Sequence, residues 1–153
     1  MSQTGKSDII RAIFAAYLAR DRKRVELALT DDFRFTSPYD DNIDKPTYFE
    51  RCWKNTDWIA RHELEKIFVE GDEAFVTYLC IARDGKRFRN TEFFTFAGDQ
   101  VKRIDVYFGA SYQDGKFVPS RYKSGRSPIR RWATDAAFLP AQLRRVRRAT
   151  CPP

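Results

Sequence analysis

One acidic residue, Glu92, stands where a carboxyl group could do chemistry. It lies in the run Phe88–Phe96, and the two-residue period of a strand puts it on one face with Asn90 and three phenylalanines. An ionised, unpaired carboxylate is costly among apolar side chains, so its pKa should be raised or another group should meet it. Glu92 is therefore our first candidate for a catalytic acid or hydrogen-bond donor. The alternative is a structural carboxylate, paired with Arg34 or Arg89 or turned outward.

A second carboxylate could come from the turn-rich segment 37–42. Asp40, or its neighbour Asp41, could act as a proton-transfer base at the mouth of a pocket, although such acids are more often turn formers. Ser37 could hydrogen-bond a ligand. A serine before Pro38 needs no function, however, and no Ser/His/Asp arrangement is present to activate it.

Three aromatic residues with polar tips, Tyr17, Trp53 and Tyr78, could line a ligand cavity or simply pack in the core. His62 could act as an acid–base group near pH 7, but a lone histidine at a strand start is more often structural. A single histidine excludes a metal site built on several imidazoles. The three cysteines lack CxxC spacing, so neither a zinc site nor a disulfide framework is expected. We therefore expect no metal and no cofactor.

The elements that must position these residues follow a simple order. Apolar spacing predicts helices near the N-terminus, and runs rich in aromatic and β-branched residues predict strands after them. The predicted helices are 8–19, capped by Ser7, 25–29 and 46–54, and the predicted strands are 33–36, 62–69, 74–82, 88–96 and 101–108. Helices followed by antiparallel strands predict an α+β fold with the helices packed on one face of a curved sheet.

Charge divides the chain into two parts. The net charge is +7, yet residues 116–153 hold 10 Lys and Arg against one acidic residue. We therefore predict a domain at residues 1–112 and a basic, Arg-rich extension at 113–153, flexible or partly helical. The extension could contact nucleic-acid phosphates, although a solvated tail is the preferred interpretation. No apolar run is long enough to span a membrane, so we expect a cytoplasmic protein.

Several strings, in this order and spacing, resemble the nuclear transport factor 2-like superfamily, which includes the SnoaL-like polyketide cyclases and the ketosteroid isomerases. They are IFAAYLARD, LALTDDFRFTSPYDD, YFERCW, FVEGDEAFVTYLC and TEFFTFAGDQVKRIDVYFG, and together they cover roughly residues 8–110. The resemblance implies a cone-shaped α+β barrel with a deep apolar pocket, often dimeric. It does not imply one activity, because such folds host enzymes and binders alike.

The resemblance also assigns roles. Ketosteroid isomerases carry an acid that donates to the substrate oxyanion where this chain has Glu92. Their general base precedes a proline, where this chain has Ser37, so the base is missing unless Asp40 or Asp41 replaces it. Their oxyanion tyrosine lies in the first helix, about one turn from Tyr17. Only one of the three roles is kept, which makes steroid isomerisation improbable.

These observations predict a domain that binds a small, mostly apolar organic molecule. As an enzyme it would carry out cofactor-free proton transfer (isomerisation, cyclisation, dehydration or hydrolysis), with Glu92 as acid and Asp40 as base. Otherwise it would be a non-catalytic ligand-binding module, or one that forms homodimers through the convex face of its sheet.

Overall fold

The computed structural model describes residues 5–118, which form three helices packed on one curved sheet. The helices are α1 (Lys6–Leu18), α2 (Arg22–Ala28) and α3 (Lys45–Arg51), and a 3-10 helix follows at Trp53–Asp57. The strands are β1 (Leu29–Ser37), β2 (Asp40–Asp44), β3 (Ile59–Glu70), β4 (Glu73–Ala82), β5 (Arg87–Ala97), β6 (Gln100–Gln113) and β7 (Lys116–Val118).

The sheet has the strand order β2-β1-β6-β5-β4-β3, and β7 pairs with β6. The hairpins β3–β4, β4–β5 and β5–β6 are antiparallel, as predicted. One pair differs, because β1 and β6 are parallel and the sheet is therefore mixed. A long stretch of chain separates these two strands, so no tight turn forces them to run in opposite directions.

Three local predictions need correction. The N-cap of α1 is Gly5 and not Ser7. Strand β2 was missed, because its sequence DDNID has little intrinsic β-propensity; pairing with β1 holds it in place, with Ile43 opposite Phe35. The sheet also continues past residue 112, because β7 pairs with the end of β6. The predicted basic extension otherwise lies at 119–153, outside the described residues, so its structure and its proposed binding of nucleic acid stay predictions.

The inner face of the sheet meets the helices and forms the core. Phe94 and Phe96 of β5 are buried there, as the strand periodicity predicted, together with Val76 of β4. Helix α1 buries Ile10 and Phe14 in the same core. Within residues 5–118, no helix has the length and apolarity that a membrane crossing requires.

A close backbone approach shapes the sheet beside Asn90. The β5–β6 register shifts between Phe88 and Asn90, where the single residue Arg89 of β5 faces two residues of β6, Gly109 and Ala110, so the bulge is in β6. A Cβ atom at Gly109 would stand 2.3 Å from the carbonyl oxygen of Arg89, closer than any real contact. Glycine therefore allows β6 to approach β5 at this point. Bulges of this kind bend the strand that carries them.

Candidate functional site

A chain of hydrogen bonds crosses the inner face from β5 to β4. Asn90 Nδ2 donates to the Tyr78 hydroxyl over 3.0 Å, and the Tyr78 hydroxyl donates to Glu92 Oε1 over 2.6 Å. The register explains the arrangement, since Tyr78 lies opposite Asn90 and Val76 opposite Glu92. Two of the predicted site residues, Glu92 and Tyr78, are thus in direct contact.

Burial raises the pKa of the Glu92 carboxyl to about 7, and the hydrogen bond from Tyr78 opposes part of that rise. Among residues 5–118, no basic side chain forms an ion pair with Glu92. Of the two arginines considered as its partner, Arg34 and Arg89, the second instead binds Glu65 with an Nε–Oε1 distance of 2.9 Å. Glu92 is therefore a carboxyl group that can gain or lose a proton near neutral pH.

His62 belongs to the same cluster, although the sequence analysis favoured a structural role for it. Its ring centroid lies 5.2 Å from that of Phe14 and 5.2 Å from that of Tyr78, both in edge-to-face geometry. Burial lowers the pKa of His62 to about 4, so the imidazole is neutral at pH 7. A signal was available in the sequence, because the two-residue period places His62 and Leu64 on one face of β3.

Two buried polar atoms of this cluster have no hydrogen-bond partner. They are Nδ1 of His62 and Oδ1 of Asn90, and Asn90 is only 6% exposed. Buried polar groups are normally paired, and an unpaired one costs about 1–3 kcal/mol. These two atoms therefore have hydrogen-bonding capacity that no described residue uses.

Tyr17 and Trp53 form an aromatic wall beside this cluster. Their ring centroids are 5.3 Å apart, and the Tyr17 ring lies 6.1 Å from that of His62. The Tyr17 hydroxyl donates to the Cys52 carbonyl oxygen over 2.9 Å, so it does not donate to Glu92. Burial, followed by the charges of Cys52 and Glu92, raises the pKa of Tyr17, which keeps the phenol neutral.

Asp40 and Ser37 lie at the β1–β2 turn. Ser37 Oγ accepts a hydrogen bond from the Tyr39 backbone over 3.2 Å, which is a local turn contact. Asp40 Oδ1 accepts from Arg51 Nη1 over 2.8 Å. Burial, and then the charge of Asp40, raises the pKa of the Cys52 thiol to about 12.

The remaining reactive side chains are unsuited to nucleophilic or metal chemistry. Burial raises the pKa of the Cys80 thiol to about 12, so both it and the Cys52 thiol are protonated and unreactive at neutral pH. In the part of the chain that the structure describes, no three His, Cys, Asp or Glu side chains are grouped as metal ligands. The site therefore offers one titrating carboxyl group, two unpaired polar atoms and several aromatic rings.

Helices packed on one curved sheet are the α+β arrangement that the sequence resemblance implied, apart from the parallel pairing of β1 with β6. The sequence pattern of the SnoaL-like domain matches residues 10–104, so the chain belongs to that family. A comparison with curated protein sequences gives no significant match.

Several solved structures share the fold of this chain at low sequence identity. A candidate ketosteroid isomerase from Kribbella flavida is 19% identical and superposes with a TM-score of 0.60, covering 80% of this chain and 90% of that one. A nuclear transport factor 2-like protein of unknown function from Cytophaga hutchinsonii is 17% identical, with a TM-score of 0.57 and coverage of 70% and 92%. AclR, described as a candidate hydroxylase, from Streptomyces galilaeus is 14% identical, with a TM-score of 0.58 and coverage of 71% and 81%. At these identities the likeness concerns the fold alone.

Replacing Tyr78 with phenylalanine should raise the pKa of Glu92 further. The variant removes the hydrogen bond that stabilises the ionised carboxylate, so a rise of about one pKa unit is expected. Carbon-detected NMR of the Glu92 carboxyl group measures it. Tyr17→Phe is the matched control, because that hydroxyl donates to Cys52, and it should change the Glu92 pKa far less. Equal pKa values in Tyr78→Phe and the wild type would contradict the assigned hydrogen bond.

Glu92 and His62 should act on stability in opposite directions as the pH changes. The folded pKa of Glu92 is raised from 4.5 to about 7, so its stabilising contribution is lost as pH rises across that range. The folded pKa of His62 is lowered from 6.5 to about 4, so its contribution is lost as pH falls across that range. Each shift corresponds to about 3 kcal/mol, and the two effects nearly cancel between pH 4.5 and 6.5.

Single variants should separate the two effects. In Glu92→Gln, the free energy of unfolding should increase from pH 4 to 6.5, because His62 acts alone. In His62→Gln it should decrease from pH 4.5 to 7. Urea unfolding at several pH values, followed by circular dichroism, measures both curves against the wild type. Curves with the same slope in both variants would show that these two groups do not titrate as assigned.

Proposed function

We propose that this SnoaL-like domain binds a small, mostly apolar organic molecule on the inner face of its sheet, with Glu92 as the polar anchor. The observation that carries the proposal is the environment of Glu92. Its carboxyl group accepts one hydrogen bond, from Tyr78, and no ion pair reaches it within residues 5–118. A carboxyl with a raised pKa, among aromatic rings and with spare hydrogen-bonding capacity, is typical of a ligand site.

The partial solvent exposure of residues around Glu92 supports access of a ligand to the inner face of the sheet. Glu92, His62, Tyr17, Leu64 and Phe88 all belong to the inner side, yet each is only half-buried. Other inner-face residues, Val76 of β4 and Phe94 of β5, have no exposed surface. We call these five half-buried residues the inner recess. An inner face that is closed at one end and partly open at the other supports a concave site for a small molecule.

Catalysis by proton transfer is the finer form of this proposal. With a pKa near 7, about half of the Glu92 carboxyls carry a proton at pH 7 and can donate it to a ligand oxygen. Asp40 is the proposed base, and it would have to exchange its contact with Arg51 for one with the substrate. The reaction class would be isomerisation, cyclisation, dehydration or hydrolysis, with no cofactor. Loss of turnover in Asp40→Asn, with ligand affinity retained, would support that role.

Replacing Glu92 with leucine tests the anchor. The full chain is titrated with aromatic compounds of similar size that carry one ketone, hydroxyl or amine group, and binding is followed by NMR and calorimetry. Leucine removes the polar anchor at similar volume, so affinity for the best ligand should fall about tenfold or more, equivalent to about 1.4 kcal/mol.

Thr91→Val is the matched control for this test. Thr91 is the neighbour of Glu92 on β5 and faces the opposite side of the sheet, so its variant should bind as the wild type does. Unchanged affinity in Glu92→Leu would contradict the proposed anchor.

A second proposed function, homodimerisation through the outer face, rests on a row of phenylalanines. Phe68 lies opposite Phe75, and Phe75 opposite Phe93, so three neighbouring strands each present one ring. Phe68 is 61% and Phe75 47% exposed, and the Phe75 and Phe93 ring centroids are 4.7 Å apart. We call these three residues the outer phenylalanine row. An apolar row of this kind suits a second copy of the chain, packed face to face about a two-fold axis.

Phe75→Lys should therefore weaken self-association at least tenfold, because two-fold symmetry brings two new charges together. Sedimentation equilibrium over a concentration series measures the dimer dissociation constant. Phe117→Lys is the control, since Phe117 is 65% exposed on β7, away from the row. A wild-type chain that stays monomeric, or a Phe75→Lys dimer as tight as the wild type, would contradict this candidate.

A further inference from the structure

The polar atoms left over in the inner recess are acceptors. When Glu92 is ionised, the single Tyr78 proton is directed to Glu92 Oε1, so the Tyr78 oxygen must itself accept from the Asn90 amide nitrogen. That arrangement fixes the orientation of the Asn90 amide and leaves its carbonyl oxygen, Oδ1, without a donor. The second Glu92 carboxylate oxygen likewise has no donor among the described residues.

A third polar group, the neutral His62 imidazole, lies beside these acceptors. It has one nitrogen that accepts and one that donates, and its buried Nδ1 has no partner in either tautomer. No Lys or Arg of residues 5–118 forms an ion pair with Glu92, so no cation in that part of the chain compensates these acceptors. A ligand that brings donors would satisfy them, whereas a ketone brings none.

Aromatic rings line the inner recess. Phe14 and Tyr78 pack edge to face at 4.8 Å, and Tyr17 and Trp53 continue the aromatic lining. Aromatic faces attract cations. These aromatic rings and the hydrogen-bond acceptors without donors together form an environment suited to a cation that carries hydrogen-bond donors.

We infer that the ligand of this site is a small primary or secondary amine in its protonated form, with an apolar body that lies among the aromatic rings and an ammonium group that meets Glu92 and Asn90. An ammonium group offers two or three donors and no acceptor, which complements the atoms described. This inference rests on the proposed ligand-binding function and names the class of molecule. It is an alternative to acid catalysis by Glu92, which would take a neutral carbonyl compound.

Among the titratable groups described around Glu92, Glu92 itself is the one with a pKa near neutral pH. Burial raises the pKa values of Tyr17 on α1, Tyr48 on α3 and Tyr78 on β4, with the charge of Glu92 adding to each. The pKa of Cys80 is about 12 and that of His62 about 4. An ammonium ligand should therefore bind more tightly as Glu92 ionises.

The test compares 2-phenylethylamine with two neutral compounds of similar shape, 2-phenylethanol and 4-phenyl-2-butanone, on the full chain. The amine should bind at least tenfold more tightly than either at pH 8. Its affinity should rise between pH 5 and pH 8 by up to about a hundredfold, since the ionised fraction of Glu92 grows by that factor when its pKa is near 7. Binding should also lower the pKa of Glu92, which the carboxyl NMR signal reports.

Two variants separate an amine site from a carbonyl site. Glu92→Gln retains a donor for a ketone but loses the negative charge, so it should abolish both the preference for the amine and the pH dependence. Glu92→Leu should weaken every ligand. Thr91→Val again serves as the control and should preserve all affinities.

The possible results are distinct. Tighter or equal binding of the ketone or alcohol, lost in Glu92→Leu, would overturn the amine inference while the proposed function stands. Amine affinity that does not change from pH 5 to pH 8, or that survives in Glu92→Gln, would also overturn the inference. Failure of all three compounds to bind would overturn the inference and the proposed function together.

Discussion

The hydrogen bond from Tyr78 to Glu92 is the interaction on which the rest of the inner recess depends. It is the one hydrogen bond that the described residues form with the Glu92 carboxyl group, which lies among aromatic side chains. This hydrogen bond does not return the pKa of Glu92 to its ordinary value. The remaining shift corresponds to about 3 kcal/mol at neutral pH, a large share of the net stability of a small domain. An apolar residue would avoid that cost. Proteins retain such unfavourable groups chiefly where function requires them, which is why Glu92 is the central residue of the candidate site.

Much of the fold could be predicted because patterns within short stretches of the sequence determine its strands and turns. The strands β3 to β6 are long, aromatic and β-branched, and hairpin turns separate them, so their existence and their inner faces follow from a two-residue period. The same period placed Glu92 beside Phe94 and Asn90 without any knowledge of tertiary structure. Tyr78 was a candidate for its polar tip, but its bond to Glu92 depends on a register that aligns it with Asn90. Turns and packing together set the register between strands, so the hydrogen bond between Tyr78 and Glu92 could not be predicted from the sequence.

The features that were missed depend on contacts distant in sequence. The parallel pairing of β1 with β6 and the polar strand β2 are imposed by neighbours and not by local propensity. His62 was undervalued for a related reason. Its low pKa and its unpaired nitrogen come from burial against Phe14 and Tyr17 of α1, and no pattern within β3 shows how closely that helix packs. Asp40 shows the opposite case, because its spacing suggested a base while the folded chain engages it with Arg51.

The alternation of side chains along β5 has a consequence for how this protein could change over generations. Glu92 and Phe93 are adjacent in sequence, yet one faces the inner recess and the other belongs to the outer phenylalanine row. The strand therefore carries two interleaved sets of residues that selection can act on separately. After a gene duplication, one copy could acquire a new small-molecule preference by substitutions at even-numbered positions of β5 while the odd-numbered positions kept its surface unchanged. Coupling between the two sets would pass through the shared backbone, where the bulge beside Asn90 and the closely packed Gly109 leave the least freedom.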